Sequence, residues 1–201
     1  MIIPTRLKKI SQICTDNSNR YPLDNVHVRK RNNKTELTAT DGRALLRFYV
    51  PADGSTVDDC ETQIYAKDFK RIVGASGTIT HKIVDQPNGV VRFQASNRDG
   101  SPGAMVETSS ECAGRYPDAD TVLDKPVFDA HQEERLNYTT HHLNPKLLRN
   151  LLDAVITSGA EYIDLVTAGD DNPVYIDGVA TGKHDDNKVQ FHGILMPCAK
   201  E

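Results

Sequence analysis

LTATDGRALLRFYV, residues 37–50, sets two apolar runs on either side of a Thr-Asp-Gly-Arg turn. Glycine accepts a positive φ without steric penalty, and aspartate can bond its own backbone two residues on, so Asp41-Gly42 signals a tight turn and the stretch reads as a β-hairpin. Nothing reactive stands at the turn. Working outward, NVHVRKR (25–31) alternates as a strand before the hairpin arms KTELTAT (34–40) and ALLRFYV (44–50). Further strands are expected at 79–85, 89–96 and 104–110, and again at 162–168, 173–179 and 189–197.

Helical spacing is confined to three short segments. In 4–14, Leu7, Ile10 and Cys14 share a face and Pro4 fits a first helical turn. In 66–75, Phe69, Ile72 and Val73 share a face and Gly74 stands near the end. In 144–155, Asn144 is a good N-cap, Pro145 fits the first helical position, and Leu147, Leu148, Leu151, Leu152 and Val155 form an apolar stripe. Helix followed by strands thus occurs three times, over 1–61, 62–123 and 124–201, the pattern of an internal repeat. Pro126 and the segment 129–135 mark the expected boundary between a two-unit domain, 1–123, and a C-terminal half or small domain, 124–201. Helices do not alternate with single strands, so the class is α+β, antiparallel sheets backed by short helices, rather than parallel α/β.

The 201 residues, 38% hydrophobic and without Trp, suffice for a real core. The four cysteines form no CxxC pair, which speaks against a zinc site or a disulfide framework and for reduced thiols. Of seven histidines the densest pair is His141-His142, whose side chains in a strand would point to opposite faces; no HExxH supports a metal site. There is no GxSxG, P-loop or GxGxxG motif, so neither an enzyme nor a cofactor is expected. The start, MIIPTRLKK, lacks the apolar core of a secretory signal, and no run approaches the roughly 18–20 apolar residues of a membrane span. A cytoplasmic protein without a membrane partner is the expectation.

Charge is segregated. Arg6, Lys8 and Lys9 lie on the first helix, Lys67, Lys70 and Arg71 on the second, and Lys146 and Arg149 on the third; with Asp68 and Asp153 the helices carry +6. The whole chain carries −4, leaving −10 for the rest. Helices side by side would present a basic surface suited to phosphates and blind to base sequence, although solvated lysines and arginines are also ordinary on helices.

Four segments, in order, resemble the bacterial DNA polymerase III β subunit, the sliding clamp: LTATDGRALLRF (37–48) is similar to its Ala-Thr-Asp-Gly hairpin, GRYPDADTVL (114–123) to its Gly-Arg-Tyr/Phe-Pro-Asp segment, LNPKLLRNLLDAV (143–155) to a helix of its last domain, and DNPVYI (171–176) with GILMPC (193–198) to its Asn-Pro-Val strand and Val-Met-Pro tail. Residues 1–123 look like the clamp's middle domain and 124–201 like the second half of its last. The resemblance implies a DNA-clamp-like fold and a non-enzymatic processivity factor for DNA replication. Such a factor encircles double-stranded DNA, holding it with basic helices, and tethers a DNA polymerase or other clients through a short peptide. The implied peptide groove comprises Thr40, Gly42, Arg43 and Leu45, then Leu123, then Asn144, Pro145, Pro173, Val174, Ile194, Met196 and Pro197. A plain hairpin with Leu45 in the core is the other reading of the turn. Ala44 departs from the family's usual Arg, and the tail CAKE lacks its basic ending, so the client preference is expected to differ. A homo-oligomeric ring of such units would close as a tetramer or, if the last unit serves as a whole small domain, as a trimer. The alternative is a clamp-like adaptor or decoy that binds replication proteins without a ring.

Overall fold

The computed structural model describes residues 2–15, 21–31, 34–51, 60–74, 78–83, 90–97, 99–109, 114–123, 141–167, 172–182 and 188–198. The boundary segment around Pro126 and 129–135 lies outside them, as does Cys112. In chain order come β1 (Ile2–Pro4), a 3-10 helix (Thr5–Gln12), β2 (Asn25–Arg31), β3 (Lys34–Thr40), β4 (Ala44–Pro51), β5 (Cys60–Tyr65), α1 (Ala66–Val73), β6 (Thr78–Ile83), β7 (Val90–Asn97), β8 (Pro102–Ser109), α2 (Ala119–Leu123), α3 (Pro145–Ser158), β9 (Asp164–Thr167), β10 (Val174–Thr181) and β11 (Lys188–Leu195). The class is α+β, with every strand pairing antiparallel.

Two sheets form, ordered β1-β6-β7-β8 and β5-β2-β3-β4-β11-β10-β9. The first two units exchange a strand: β1 pairs with β6 of the second, and β5 pairs with β2 of the first. The expected unit boundary at 61/62 therefore falls inside β5, a strand that opens the second unit yet belongs to the first unit's sheet. The last unit joins the larger sheet edge to edge, β11 against β4, so its strands continue those of the first unit without a break.

The larger sheet obeys a strict two-residue alternation. Val26, Val28, Leu37, Leu46, Phe48, Val189, Phe191 and Ile176 turn to one side and are fully or nearly fully buried beneath the helices. Phe48 and Phe191, opposite each other across the β4–β11 seam, meet edge to face with ring centroids 5.8 Å apart. The other side carries a cross-strand row of polar residues, Gln63, His27, Thr38, Arg47, His192, Asp177 and Asp164, each in register with the next.

The first helix differs from the expected α-helix. It is 3-10 throughout Thr5–Gln12, and its buried residues Leu7, Ile10 and Ile13 recur every three positions, the repeat of a three-residue turn. Ile13, not Cys14, completes the buried face, while Cys14 donates its thiol to Asn25 O at 3.3 Å. Pro4 ends β1 in an extended conformation and caps the helix rather than joining its first turn. The third helix follows its sequence closely. Asn144 Oδ1 accepts from the amides of Lys146 (2.9 Å) and Leu147 (3.3 Å), Pro145 occupies the first turn, and Gly159 ends the helix at φ 94°. A Cβ at Gly159 would stand 2.3 Å from Thr181 O, so glycine is required there twice over.

Candidate functional site

The hairpin turn is built by its own side chains. Asp41 Oδ1 accepts from the amides of Arg43 (2.8 Å) and Ala44 (2.7 Å), while the Thr40 hydroxyl donates to Ala44 O (2.7 Å) and accepts from Gly42 N (3.0 Å). Gly42 takes φ 88°, where an L side chain is strained. The turn is thereby a rigid rim. One strand further, Arg43 O accepts from Met196 N at 2.8 Å, extending the β4–β11 pairing into the C-terminal tail, and His142 O accepts from Cys198 N at 2.6 Å.

Against this rim lies an apolar cavity of about 350 Å³. Its floor is Leu45 and Ile194, directly opposite each other on β4 and β11 and on the face away from the helices. Leu45 therefore does not belong to the core beneath the helices. Gly42, Arg43 and Met196 form one side, Thr40 and Ala44 border the turn, and Tyr21 and Leu23 stand before β2. The remaining wall is the connector, Pro117 to Val122. Of the twelve residues expected in a groove, six converge here: Thr40, Gly42, Arg43, Leu45, Ile194 and Met196. The other six do not line the cavity. Val174 turns to the helix side beside Leu195, Asn144 and Pro145 serve the start of α3, and Pro173 and Pro197 are half-buried. In the short helix α2, Ala119 and Val122 face the cavity in place of Leu123, because residues three apart share a helix face. Tyr21, Leu23, Pro117, Ala119 and Val122 were not identifiable from spacing, since they come from irregular segments and one five-residue helix.

The connector is pinned across the polar row. Gln63 Nε2 donates to Gly114 O at 3.3 Å. Tyr116 is buried, stacks on His27 with centroids 4.7 Å apart and donates its hydroxyl to Thr38 O at 3.3 Å. Asp118 caps α2, accepting from Asp120 N, Thr121 N and the Thr121 hydroxyl. Asp120 then accepts from Arg29 and Arg47, with Arg29 also held by Glu36 at 2.5 and 2.8 Å. The Arg29 fork, together with Arg47, pulls the Asp120 carboxyl down to about 2. Burial pushes the His27 imidazole down, against the opposing pull of the Glu61 carboxylate 2.8 Å away. Burial also drives the Tyr116 phenol well up.

The expected basic residues lie on the other side of the sheet. The 3-10 helix packs between α1 and α3. Lys67, Lys70 and Arg71 on α1 and Lys146 and Arg149 on α3 are exposed, whereas Lys8 and Lys9 are half-buried. Arg6 is half-buried, its Nη1 within 3.8 Å of where a Gly159 Cβ would stand, so it serves the junction with the end of α3. Among the described residues no group of three His, Cys, Asp or Glu side chains is arranged to hold a metal ion. His141 Nε2 lies 2.8 Å from the Thr167 hydroxyl. No helix among them is long and apolar enough to cross a membrane.

No protein-family model matches the sequence. No curated protein matches it either. Solved structures do match. Over the whole chain it is similar to a DNA polymerase III β subunit described as putative from Eubacterium rectale (14% identity, TM-score 0.65), to the DNA polymerase sliding clamp of Bacillus subtilis (15%, 0.65), and to the DNA polymerase III β subunit of Thermotoga maritima (10%, 0.65). It spans 65%, 64% and 64% of those chains. At such low identity the likeness establishes architecture: the chain has the α+β, antiparallel-sheet fold of the sliding clamps.

Proposed function

We propose that the chain acts as a sliding-clamp-like processivity factor in DNA replication, not an enzyme, which binds duplex DNA without sequence preference and tethers client proteins through a peptide groove. The observation that carries this reading is the apolar cavity on the β4–β11 seam, with Leu45 and Ile194 as floor and the pinned connector as wall. A cavity of this size and lining suits two or three apolar side chains of an extended peptide, with the rigid turn supplying shape. The exposed lysines and arginines of α1 and α3 lie on the opposite face of the sheet, so DNA and client would occupy separate surfaces. Residues 1–123 would act as a complete two-unit domain and 124–201 as a half-domain continuing its sheet, in a cytoplasmic homo-oligomeric ring.

The test is fluorescence anisotropy with a labelled clamp-motif peptide. Binding lost in Leu45→Asp and in Met196→Asp supports the groove, and affinity unchanged in both refutes it. Salt-sensitive retention on circular duplex DNA that is lost on linearisation favours a ring; client binding without any DNA binding favours the adaptor.

A further inference from the structure

The apolar cavity carries two charges, and they stand on opposite walls. Arg43 belongs to the turn side and Asp118 to the connector, with the apolar floor of Leu45 and Ile194 between them. Both charged residues are exposed. Arg43 is fixed at its backbone from two directions: its amide donates to Asp41 Oδ1 at 2.8 Å, and its carbonyl accepts from Met196 N at 2.8 Å. Its guanidinium makes no ion pair with a described residue. The contrast lies just across the connector, where a polar cavity of about 300 Å³ is lined by Arg29 and Arg47. Those two guanidiniums are already held by Asp120 and Glu36.

Asp118 is likewise positioned without being neutralised. Its Oδ1 accepts from the amides of Asp120 (3.2 Å) and Thr121 (3.3 Å), and its Oδ2 from the Thr121 hydroxyl (2.8 Å). These bonds cap α2 and supply no counter-charge. The Thr121 hydroxyl and amide hold the Asp118 carboxyl below its usual value, so it stays ionised at any neutral working pH. Among the described residues no lysine or arginine pairs with it. The cavity therefore has a cation at one end of an apolar floor and an anion at the other.

We infer that Arg43 and Asp118 select the client by charge: the segment that fills the cavity carries a carboxylate side chain at the turn end and a lysine or arginine at the connector end. This rests on the reading of the cavity as a peptide groove and adds the chemistry of the peptide. Apolar side chains seated on Leu45 and Ile194 displace water from between the walls, which strengthens the field of both charges there. A peptide with the matching signs gains at each end, and one with the signs exchanged meets like charge at both. A guanidinium also meets a carboxylate through two parallel bonds, so Arg43 is the more geometrically selective of the two. Two opposite charges at the two ends distinguish one direction of the peptide from the other, which a purely apolar floor would not.

Fluorescence anisotropy at low salt tests it with labelled clamp-motif peptides bearing Asp, Asn or Lys at each position flanking their apolar residues. The full chain should favour Asp over Asn at one flank and Lys over Asn at the other, each by about two- to fivefold, as for exposed ion pairs. Arg43→Gln should erase the Asp preference and leave the Lys preference. Asp118→Asn should do the reverse while α2 keeps its cap, because asparagine caps a helix as well as aspartate does. Arg43→Glu should turn the preference at the first flank from Asp to Lys. Added salt should shrink every one of these ratios. The peptide series on the unaltered chain is a readout of its own should a variant fold poorly. Equal affinity for Asp, Asn and Lys at both flanks, with binding still lost in Leu45→Asp, overturns the inference and keeps the groove. Preferences that Arg43→Gln and Asp118→Asn leave in place also overturn it. An unaltered chain that binds none of the peptides overturns the groove and the inference together.

Discussion

Asp120 holds Arg29 in a fork: the two guanidinium nitrogens of Arg29 donate to the two carboxylate oxygens of Asp120 at 2.9 Å each, across 91 residues of sequence. The same carboxylate accepts from Arg47, which is only 3% exposed. Asp120 on the connector and Glu36 on the sheet thus balance the charge of Arg29 and Arg47, and two residues later the same short helix offers Val122 to the cavity. Asp120 positions that wall without lining the cavity itself.

Replacing Asp120 with Asn leaves the buried Arg47 with Glu36, 3.9 Å away, as its remaining carboxylate partner. The expected loss of stability is about 2–3 kcal/mol, below the full penalty of a stranded buried charge because Asp120 is partly open to water and Glu36 still pairs with Arg29. Chemical denaturation measures it. In a double-mutant cycle with Arg47→Met, the pair should lose less than the sum of the single losses, and client-peptide affinity should fall with Asp120→Asn alone.

Two groups set the response to acid. Asp120, held near 2 by the Arg29 fork and Arg47, has a folded value below its unfolded one, so its contribution is present above about pH 4 and lost as pH falls through 2. His27 is pushed down chiefly by burial, so its neutral form favours folding. That contribution is present above its unfolded value of about 6.5 and lost as pH drops through the lower folded value. Melting temperature should therefore begin to fall below neutrality, and His27→Gln should flatten this first decline while leaving the one near pH 3 in place.

Phe48 and Phe191 join the first and last units across the seam, both fully buried. Phe48→Ala should cost about 3–5 kcal/mol, read as a lower urea midpoint. Because Leu45 and Ile194 sit on the same two strands, peptide binding should weaken in parallel even under conditions where the variant remains folded.

Charge reversal on the exposed helix faces separates the two proposed surfaces. Combining Lys70→Glu, Arg71→Glu and Arg149→Glu should weaken duplex binding and flatten the plot of log affinity against log salt by about 0.9 for each phosphate contact removed. Peptide affinity should not change, since these residues lie across the sheet from the cavity.

Much of this architecture is written locally. The hairpin arms 34–40 and 44–50 follow from two-residue alternation around Asp41-Gly42, and α3 from Asn144, Pro145 and its leucine stripe, because each signal is contained within one element. The exchange of β1 and β5 is not legible. Ile2–Pro4 is too short to show a period, and Cys60–Tyr65 runs directly into α1. The lining of the cavity is legible in part: its residues in regular strands and the turn stand in recognisable elements, whereas those in the connector do not. Nothing in the local pattern of Arg29, Glu36 and Arg47 marks them out, and only the folded chain brings Asp120 over them.

The proposed client groove is tested most directly by chemical-shift mapping of the isotopically labelled protein titrated with the clamp-motif peptide. Saturable shifts concentrated at the methyls of Leu45, Val122, Ile194 and Met196, with the amides of Gly42 and Arg43, are the predicted result. Shifts that cluster elsewhere, or none at saturating peptide, would contradict it.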